Sequence, residues 1–318
     1  MAKLLTPREL RQLFVTTATA KFARNVPDFV RLQKLVADNG GTFLNDHGAI
    51  RTADPQVRAL FVRAARVLGL RRELDYAFPA KKLVSFDLQA VGDDAHEFKV
   101  FVSQVDLGAY PAQVAALIRE DCAEQWAAAD HGGFVELIAR AEAAGGLSAA
   151  DAEAFARHFA EKLMSRPGPA LKRATLNAVA AVSGEAASAL ALGPDFNHVT
   201  IDVRAAGFDG IEAMAAAMQA QGFRLLPAIQ GAPGTKLRQT ATLAATMDTP
   251  VREADGSAGV AQTEKQFVEI IERAQARDAD GAPLWRQDGG PLVFRNFLAA
   301  NAEKIFDAAS TKASGAIC

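Results

Sequence analysis

The spacing of hydrophobic and polar residues divides the first part of the chain into helical and extended segments. Residues 7–39 have a helical pattern that begins at Thr-Pro and ends at Asn-Gly-Gly. Residues 42–52 predict a strand, and the next stretch, DPQVRALFVRAARVLGL, predicts a helix with proline in its first turn. Residues 81–91 and 96–107 alternate like two antiparallel strands around the turn GDDA. Residues 40–107 are therefore predicted to fold as strand, helix, strand and strand.

A similar order of elements returns in the second half of the chain. NHVTIDV, at residues 197–203, predicts a strand, and GIEAMAAAMQAQGF predicts a helix. Residues 235–247 and 265–275 predict strands, and PLVFRNFLAANAEKIFDAAS predicts a closing helix. Each module opens with an Asn and a His, which suggests a fold built by duplication. Residues 111–190, between the modules, are rich in Ala and Glu and predict inserted helices.

Composition narrows the class of protein. The chain has 318 residues, of which 50% are hydrophobic and 23% charged, so it can bury a globular core. A net charge near −2 gives no basic surplus for nucleic acid. The cysteines, Cys122 and Cys318, form no CxxC motif, and no apolar run has the length that a membrane span needs. We expect a cytoplasmic protein that binds neither nucleic acid nor membrane; its oligomeric state is left open.

Two histidines occupy equivalent places in the two modules. Side chains on a strand alternate between faces, so His47 shares a face with Arg51, four residues later. On the strand 197–203, His198 points away from the apolar residues that must pack on a helix. Matching positions in a repeat favour a shared role for these two side chains. The other histidines, in loops, at a strand start or on an amphipathic helix, are interpreted as structural: His96, His131 and His158.

A carboxylate on a late strand could join the two histidines. Glu269 lies within the apolar stretch FVEIIER, and a buried carboxylate needs a cation or a metal as partner. Two imidazoles and one carboxylate form the facial triad of non-haem Fe(II) oxygenases, which leaves positions open for substrate and dioxygen. The alternative is a buried ion pair between Glu269 and Arg273 or another arginine.

Six segments spread over residues 40–275 together resemble a known family. They are NDHGAIRT, FPAKKLVSF, FKVFVSQVDL, FNHVTIDV, LRQTATLA and FVEIIER, in this order. The chain resembles the 2-oxoadipate dioxygenase/decarboxylase family, iron enzymes of the vicinal oxygen chelate superfamily that are related to hydroxyphenylpyruvate dioxygenase. The resemblance implies an α+β fold in which paired βαβββ modules form a curved sheet around a metal, with a helical insertion.

We expect one catalytic domain over residues 1–318. Its parts are a first module with N-terminal helices (1–110), the helical insertion (111–190), and a second module with the C-terminal helix (191–318). We expect the insertion to form a shell that supplies no metal ligands.

The resemblance assigns roles to the candidate residues. His47, His198 and Glu269 are the implied ligands of Fe(II), and Arg51 is implied to bind the distal carboxylate of a 2-oxo diacid. Gln239 and Thr240 are candidates for lining the substrate pocket.

The implied reaction converts 2-oxoadipate and dioxygen to 2-hydroxyglutarate and carbon dioxide, as in lysine degradation. Two alternatives stay open at this point. One is another vicinal oxygen chelate metalloenzyme that acts on a 2-oxo acid, and the other is a non-catalytic protein that binds a small acid.

Overall fold

The computed structural model describes residues 3–92, 97–286 and 289–305. The helices are α1 (Pro7–Asn25), α2 (Pro27–Asp38), α3 (Pro55–Val67), α4 (Ala112–Ala128), α5 (Gly132–Ala144), α6 (Ala149–His158), α7 (Arg173–Ala180), α8 (Gly184–Leu192), α9 (Ile211–Ala220) and α10 (Ala299–Ile305). The strands are β1 (Asn45–Thr52), β2 (Leu70–Phe78), β3 (Leu83–Ala90), β4 (Lys99–Val105), β5 (Leu171–Lys172), β6 (Phe196–Asp202), β7 (Leu237–Ala241), β8 (Ala245–Arg252) and β9 (Ala258–Arg273). His96, Cys318 and the predicted turn around residue 93 lie outside the described residues.

The strands belong to one mixed sheet, in which the two modules meet at the centre. The strand order is β2-β3-β4-β1-β6-β9-β8-β5, and β7 also pairs with β9. In the first module β1 runs parallel to β4, and in the second module β6 runs parallel to β9. The antiparallel pair of β1 and β6 joins the modules. The predicted α+β class and the paired modules are confirmed.

The hydrophobic pattern misses β2, which makes the first module a complete βαβββ unit. This edge strand has the sequence LRRELDYAF, and residues 71–75 are exposed. It pairs only with β3 in the sheet order, so its solvated side chains carry no apolar alternation.

Three other predicted boundaries are wrong. The strand predicted over 235–247 is interrupted at residues 242–244, where the chain passes from β7 to β8, and β9 begins at Ala258 rather than at 265. The closing helix begins at Ala299 rather than at 291. The backbone amide of Phe294 donates to the carbonyl of Ala274, so residues before 299 pair with an extended segment.

The two faces of the sheet differ in chemistry. The convex face is apolar and packs against the N-terminal helices and α9, burying Ile50, Val199, Ile201, Val268 and Ile270 together with the helix side chains. The concave face carries polar and ionisable side chains together with apolar ones such as Ala49, Phe101 and Phe267. Burial of the apolar face fixes the register of each strand, since a slip by one residue would exchange the faces.

The segment between β4 and β6 contains helices α4 to α8 and the short strand β5, which pairs with β8. Helix α8 packs against β1 and β9, so it lies beside the strand that carries His47. Within the described ranges, no helix combines the length and the apolar character that crossing a bilayer requires.

Candidate metal centre

His47, His198 and Glu269 meet on the concave face at the centre of the sheet. Their strands, β1, β6 and β9, are adjacent. Thr200 pairs with His47 across β1 and with Glu269 across β9, so the register brings the three side chains together. Glu269 Oε2 lies 3.2 Å from His198 Nε2 and 3.9 Å from His47 Nε2. The three prospective ligand atoms all lie within 4.8 Å of one another, a spacing that one metal ion can bridge.

The electrostatics of the three residues suit a divalent cation. All three are at most 5% exposed. Burial raises the pKa of Glu269 to about 8, and the negative charge of Asp46 adds to this effect. Burial lowers the pKa of His47, and burial together with the neighbouring His47 lowers the pKa of His198 well below its ordinary value. Both imidazoles are therefore neutral at neutral pH, as metal ligands must be.

Two buried polar atoms without hydrogen-bond partners also indicate that these residues suit a bound cation. Glu269 Oε1 and His198 Nδ1 have no hydrogen-bond partner among the residues that the structure describes. A buried carboxylate oxygen that lacks a donor is costly, and a bound cation would remove that cost. The donor set, two nitrogens and one carboxylate, is one that binds divalent transition metals.

Asp46 fixes the orientation of His47. Asn45 pairs with Ile201 and His47 with Thr200, so Asp46 is the extra residue of a β-bulge. Asp46 Oδ2 lies 2.8 Å from His47 Nδ1, and His47 Nε2 faces both the Thr200 hydroxyl at 3.1 Å and Glu269 Oε2 at 3.9 Å. A carboxylate on the second ring nitrogen is the usual way to orient a metal-binding histidine.

Arg273 and Lys99 stabilise the negative charge of Asp46. Arg273 Nε and Nη2 donate to the two oxygens of Asp46 at 2.7 and 2.8 Å, and Lys99 Nζ lies 3.7 Å away. Although burial opposes ionisation, these charges and the bond to His47 keep the pKa of Asp46 well below its usual value. Arg273 thus forms its ion pair with Asp46, and the alternative pair with Glu269 is not the one observed. Sequence reasoning missed Asp46, although an acidic residue beside a strand histidine is a usable signal.

The C-terminal part of the chain covers the three residues. A cavity of about 20 Å³ remains beside them, which is room for an occupant the size of one water molecule. Its other lining residues are Phe101, Gln239, Phe297, Leu298, Ala302 and Ile305. The Phe297 ring lies with its centroid 4.8 Å from that of His47.

The two candidate pocket residues on β7 point in opposite directions. Gln239 lines the cavity beside Glu269. Thr240 pairs with Ile270, whose side chain belongs to the apolar core of the convex face, and it lines a separate depression beside α9. Because neighbours on a strand alternate, only one of the two can face the metal centre. The structure therefore places Gln239 beside the candidate metal centre and Thr240 on the opposite face of β7.

Arg51 lies on the same concave face as His47 and is 3% exposed. Its Nη1 lies 2.5 Å from Oε2 of Glu185, in the first turn of α8. The positive charge of Arg51 is among the causes that lower the pKa of His198, after burial and His47. Glu185 belongs to the segment that sequence reasoning treated as a supporting shell, so this contact was not predicted.

The other described histidines pair with each other. His131 Nδ1 lies 3.0 Å from His158 Nε2, and the His158 ring stacks on Phe134 with centroids 4.5 Å apart. Burial lowers the pKa of both, to about 4 for His158. Neither residue belongs to the group of prospective ligands around Glu269.

Comparisons with known structures identify the fold. A putative glyoxalase superfamily protein from Ralstonia eutropha JMP134 aligns over 93% of this chain and 88% of its own, with a TM-score of 0.79 and 21% identity. Hydroxyglutarate synthase from Oryza sativa, solved with 2-oxoadipate, aligns over 98% and 96%, with a TM-score of 0.73 and 18% identity. The Pseudomonas putida hydroxyglutarate synthase with 2-oxoadipate aligns over 99% and 76%, with a TM-score of 0.71 and 22% identity. These similarities confirm the predicted fold class.

Sequence comparison identifies the family. A search of functionally curated proteins gives no match. The sequence profile of the 2-oxoadipate dioxygenase/decarboxylase family matches residues 14–289, which is most of the chain and includes both modules. The chain belongs to the 2-oxoadipate dioxygenase/decarboxylase family.

Proposed function

We propose that this protein is an Fe(II)-dependent dioxygenase that converts 2-oxoadipate and dioxygen to 2-hydroxyglutarate and carbon dioxide. The observation that carries the proposal is the buried group of His47, His198 and Glu269, in a member of this family. Two of the proteins with a similar fold are hydroxyglutarate synthases solved with 2-oxoadipate, which supports the same substrate here. We also propose that both modules and the helical segment act as one catalytic domain.

The metal and the side chains have separate tasks in this proposal. Fe(II), when held by the two histidines and Glu269, supplies open coordination positions and the redox chemistry that dioxygen requires. The hydrogen bond from His47 to Asp46 orients the ring, and a metal bound at the other ring nitrogen would replace that nitrogen's contact with the Thr200 hydroxyl, 3.1 Å away. Gln239 offers an amide beside the metal position, and the rings of Phe101 and Phe297 exclude water from it.

Arg51 is proposed to bind the distal carboxylate of the substrate. Residues four apart on a strand are separated by roughly 13 Å, so inward-pointing side chains at His47 and Arg51 can hold the two ends of a six-carbon diacid. A guanidinium binds a carboxylate through two parallel hydrogen bonds, which a monocarboxylic 2-oxo acid cannot offer at its far end. A diacid exceeds the cavity of about 20 Å³, so its binding requires the residues that line the cavity to move apart.

Oxygen uptake tests the proposal directly. Protein loaded anaerobically with Fe(II) is mixed with oxygenated buffer and a panel of 2-oxo diacids and monoacids, and products are identified by mass spectrometry. Equal amounts of dioxygen consumed and of 2-hydroxyglutarate and carbon dioxide formed from 2-oxoadipate are expected. Dioxygen-independent conversion of a 2-oxo acid would identify another vicinal oxygen chelate chemistry, and metal binding without any turnover would identify a binding protein.

Metal content tests the ligands. His47→Ala, His198→Ala and Glu269→Ala should each abolish turnover and lower bound iron. The matched control is the double variant His131→Gln/His158→Gln, which should keep its iron, since these residues form a separate pair. A well-folded single variant that keeps wild-type iron and turnover would exclude that residue as a ligand.

A further inference from the structure

The carboxylate of Glu185 contacts the guanidinium of Arg51. The proposed function assigns this same guanidinium to the distal carboxylate of the substrate. Glu185 Oε2 lies 2.5 Å from Arg51 Nη1, and the two side chains are 10% and 3% exposed. This is a charge-assisted contact of the kind that a substrate carboxylate would make. Since α8 packs against β1, the helix itself holds Glu185 at this position.

A groove opens on the other side of Glu185. Its volume is about 620 Å³, and it runs between the turn at residues 79–82, helices α7 and α8, and the first part of β9. Lys81 and Lys82 lie on its wall and favour entry of anions. Glu185 lines the groove as well as contacting Arg51, so a rotation of its side chain moves the carboxylate into water.

We infer that Glu185 is a specificity-determining residue that competes with the distal carboxylate of the substrate for Arg51. The inference rests on the proposed function, because it takes Arg51 as the substrate-binding group. Two carboxylates beside one guanidinium would leave a buried, uncompensated negative charge. A diacid must therefore displace Glu185 into the groove, whereas a monocarboxylic 2-oxo acid leaves the pair of Arg51 and Glu185 intact.

Calorimetric titration under argon tests this competition without turnover. Metal-loaded protein is titrated with 2-oxoadipate and with 2-oxohexanoate, which has the same chain length and no distal carboxylate. Glu185→Gln removes the competing charge and should lower the Kd for 2-oxoadipate roughly tenfold while leaving that for 2-oxohexanoate unchanged. Glu264→Gln is the matched control, because Glu264 is another carboxylate of the same groove, and its effect should be less than about twofold.

Unchanged or weaker binding of the diacid by Glu185→Gln would overturn the inference and would make Glu185 a residue that positions Arg51. Glu185→Asp, which shortens the reach to Arg51 and keeps the charge, should shift the Kd in the same direction by less. It keeps the test valid if the Gln variant folds poorly. The oxygen-uptake assay separates the two proposals. If Glu185→Gln binds the diacid more tightly but the wild type consumes no oxygen, the competition is supported and the proposed reaction is contradicted. If the wild type consumes oxygen but Glu185→Gln binds the diacid no more tightly, the proposed reaction is supported and the competition is contradicted.

Discussion

Asp46 and His47 are neighbours in sequence, and yet their side chains meet, with Asp46 Oδ2 2.8 Å from His47 Nδ1. On a regular strand, consecutive side chains point to opposite faces. The β-bulge at Asp46 suspends this alternation, and Arg273 holds the turned carboxylate through two hydrogen bonds. One extra residue in β1 therefore supplies the partner that orients His47, a proposed metal ligand.

Asp46→Asn should weaken Fe(II) binding by about 10- to 100-fold, because the amide gives His47 a weaker acceptor and no charge. The measurement is an anaerobic titration against a chromophoric chelator. Asp202→Asn is the control: Asp202 is another buried carboxylate on a neighbouring strand, but it accepts hydrogen bonds from Arg204. Equal losses in the two variants would show that general electrostatics, and not the orientation of His47, govern affinity.

The sequence predicts the parts of the site that depend on local alternation. His47 and His198 could be assigned to one face because apolar residues lie on the opposite face of each strand, although a β-bulge adjoins each of the two histidines. Asp46 could not be assigned, since a bulge depends on pairing with β6. Glu185 could not be assigned either, because its contact with Arg51 joins residues far apart in sequence. Only the assembled tertiary structure specifies such contacts.

In the fold, too, elements with a clear local pattern could be predicted from the sequence, and elements that depend on pairing could not. Central strands such as β6 are buried on both faces and could be recognised from their β-branched residues. The edge strand β2 has a largely exposed, charged sequence, which resembles a loop or the end of a helix in its pattern. Its pairing with β3 overrides that weak local preference.

The raised pKa of Glu269 predicts that the stability this residue contributes to the metal-free protein is lost as pH rises from 6.5 to 8. The unfolded chain releases this proton near pH 4.5, whereas the folded protein keeps it until about pH 8. The folded state thus binds more protons in this range, and the stabilisation, fully present below pH 4.5, is lost as pH rises through 8. Folding lowers the pKa of His47 and His198, so their titration in the unfolded chain near pH 6.5 acts in the opposite direction, and the Glu269 effect is measured against a variant that lacks this carboxyl group.

Urea unfolding of the metal-free protein at several pH values measures this effect. Between pH 6.5 and 8 the free energy of unfolding of the wild type should fall by about 1–2 kcal/mol relative to that of Glu269→Gln, as the linkage relation gives for one carboxyl group. Glu269→Gln cannot titrate, so the difference in slope between the two proteins isolates Glu269 from other groups such as Lys99. Identical slopes would contradict the raised pKa.

Gly48 lies on the opposite face of β1 from His47, and its lack of a side chain makes room for Phe196. A Cβ at Gly48 would come within 2.4 Å of the Phe196 ring, which is fully buried and packs against Phe14 and Phe98. Gly48→Ala should therefore lower the free energy of unfolding by about 1–3 kcal/mol, the usual cost of overpacking.

The same substitution should weaken metal binding, since Phe196 begins the strand that carries His198. Gly133→Ala is the matched control: a Cβ there meets nothing within 4 Å, so stability and iron content should stay at wild-type values or rise slightly. If urea unfolding shows no loss for Gly48→Ala, the close packing of Phe196 on β1 is not a constraint on the fold.

Arg51 provides the sharpest test of substrate choice. A charge-assisted contact to a carboxylate contributes roughly 1.5–3 kcal/mol, so Arg51→Ala should raise the KM for 2-oxoadipate by about one to two orders of magnitude while iron stays bound. Arg51→Lys should recover only part of this loss, because an ammonium group cannot form the paired hydrogen bonds of a guanidinium. A monocarboxylic 2-oxo acid should be a poor substrate of the wild type and should be affected much less.

Arg51→Ala also leaves Glu185 buried without the cation it contacts, which could lower activity through the fold alone. The double variant Arg51→Ala/Glu185→Gln removes that unpaired charge and separates the two causes. If Arg51 reads the substrate, the double variant regains stability but keeps the high KM for the diacid. If Arg51 only neutralises Glu185, the double variant regains both the stability and the low KM for the diacid. In that case Arg51→Ala alone lowers kcat/KM for the diacid and for the monoacid by the same factor. The ratio of kcat/KM for the two acids, measured in all three proteins, therefore decides whether Arg51 selects the substrate or supports the helix beside it.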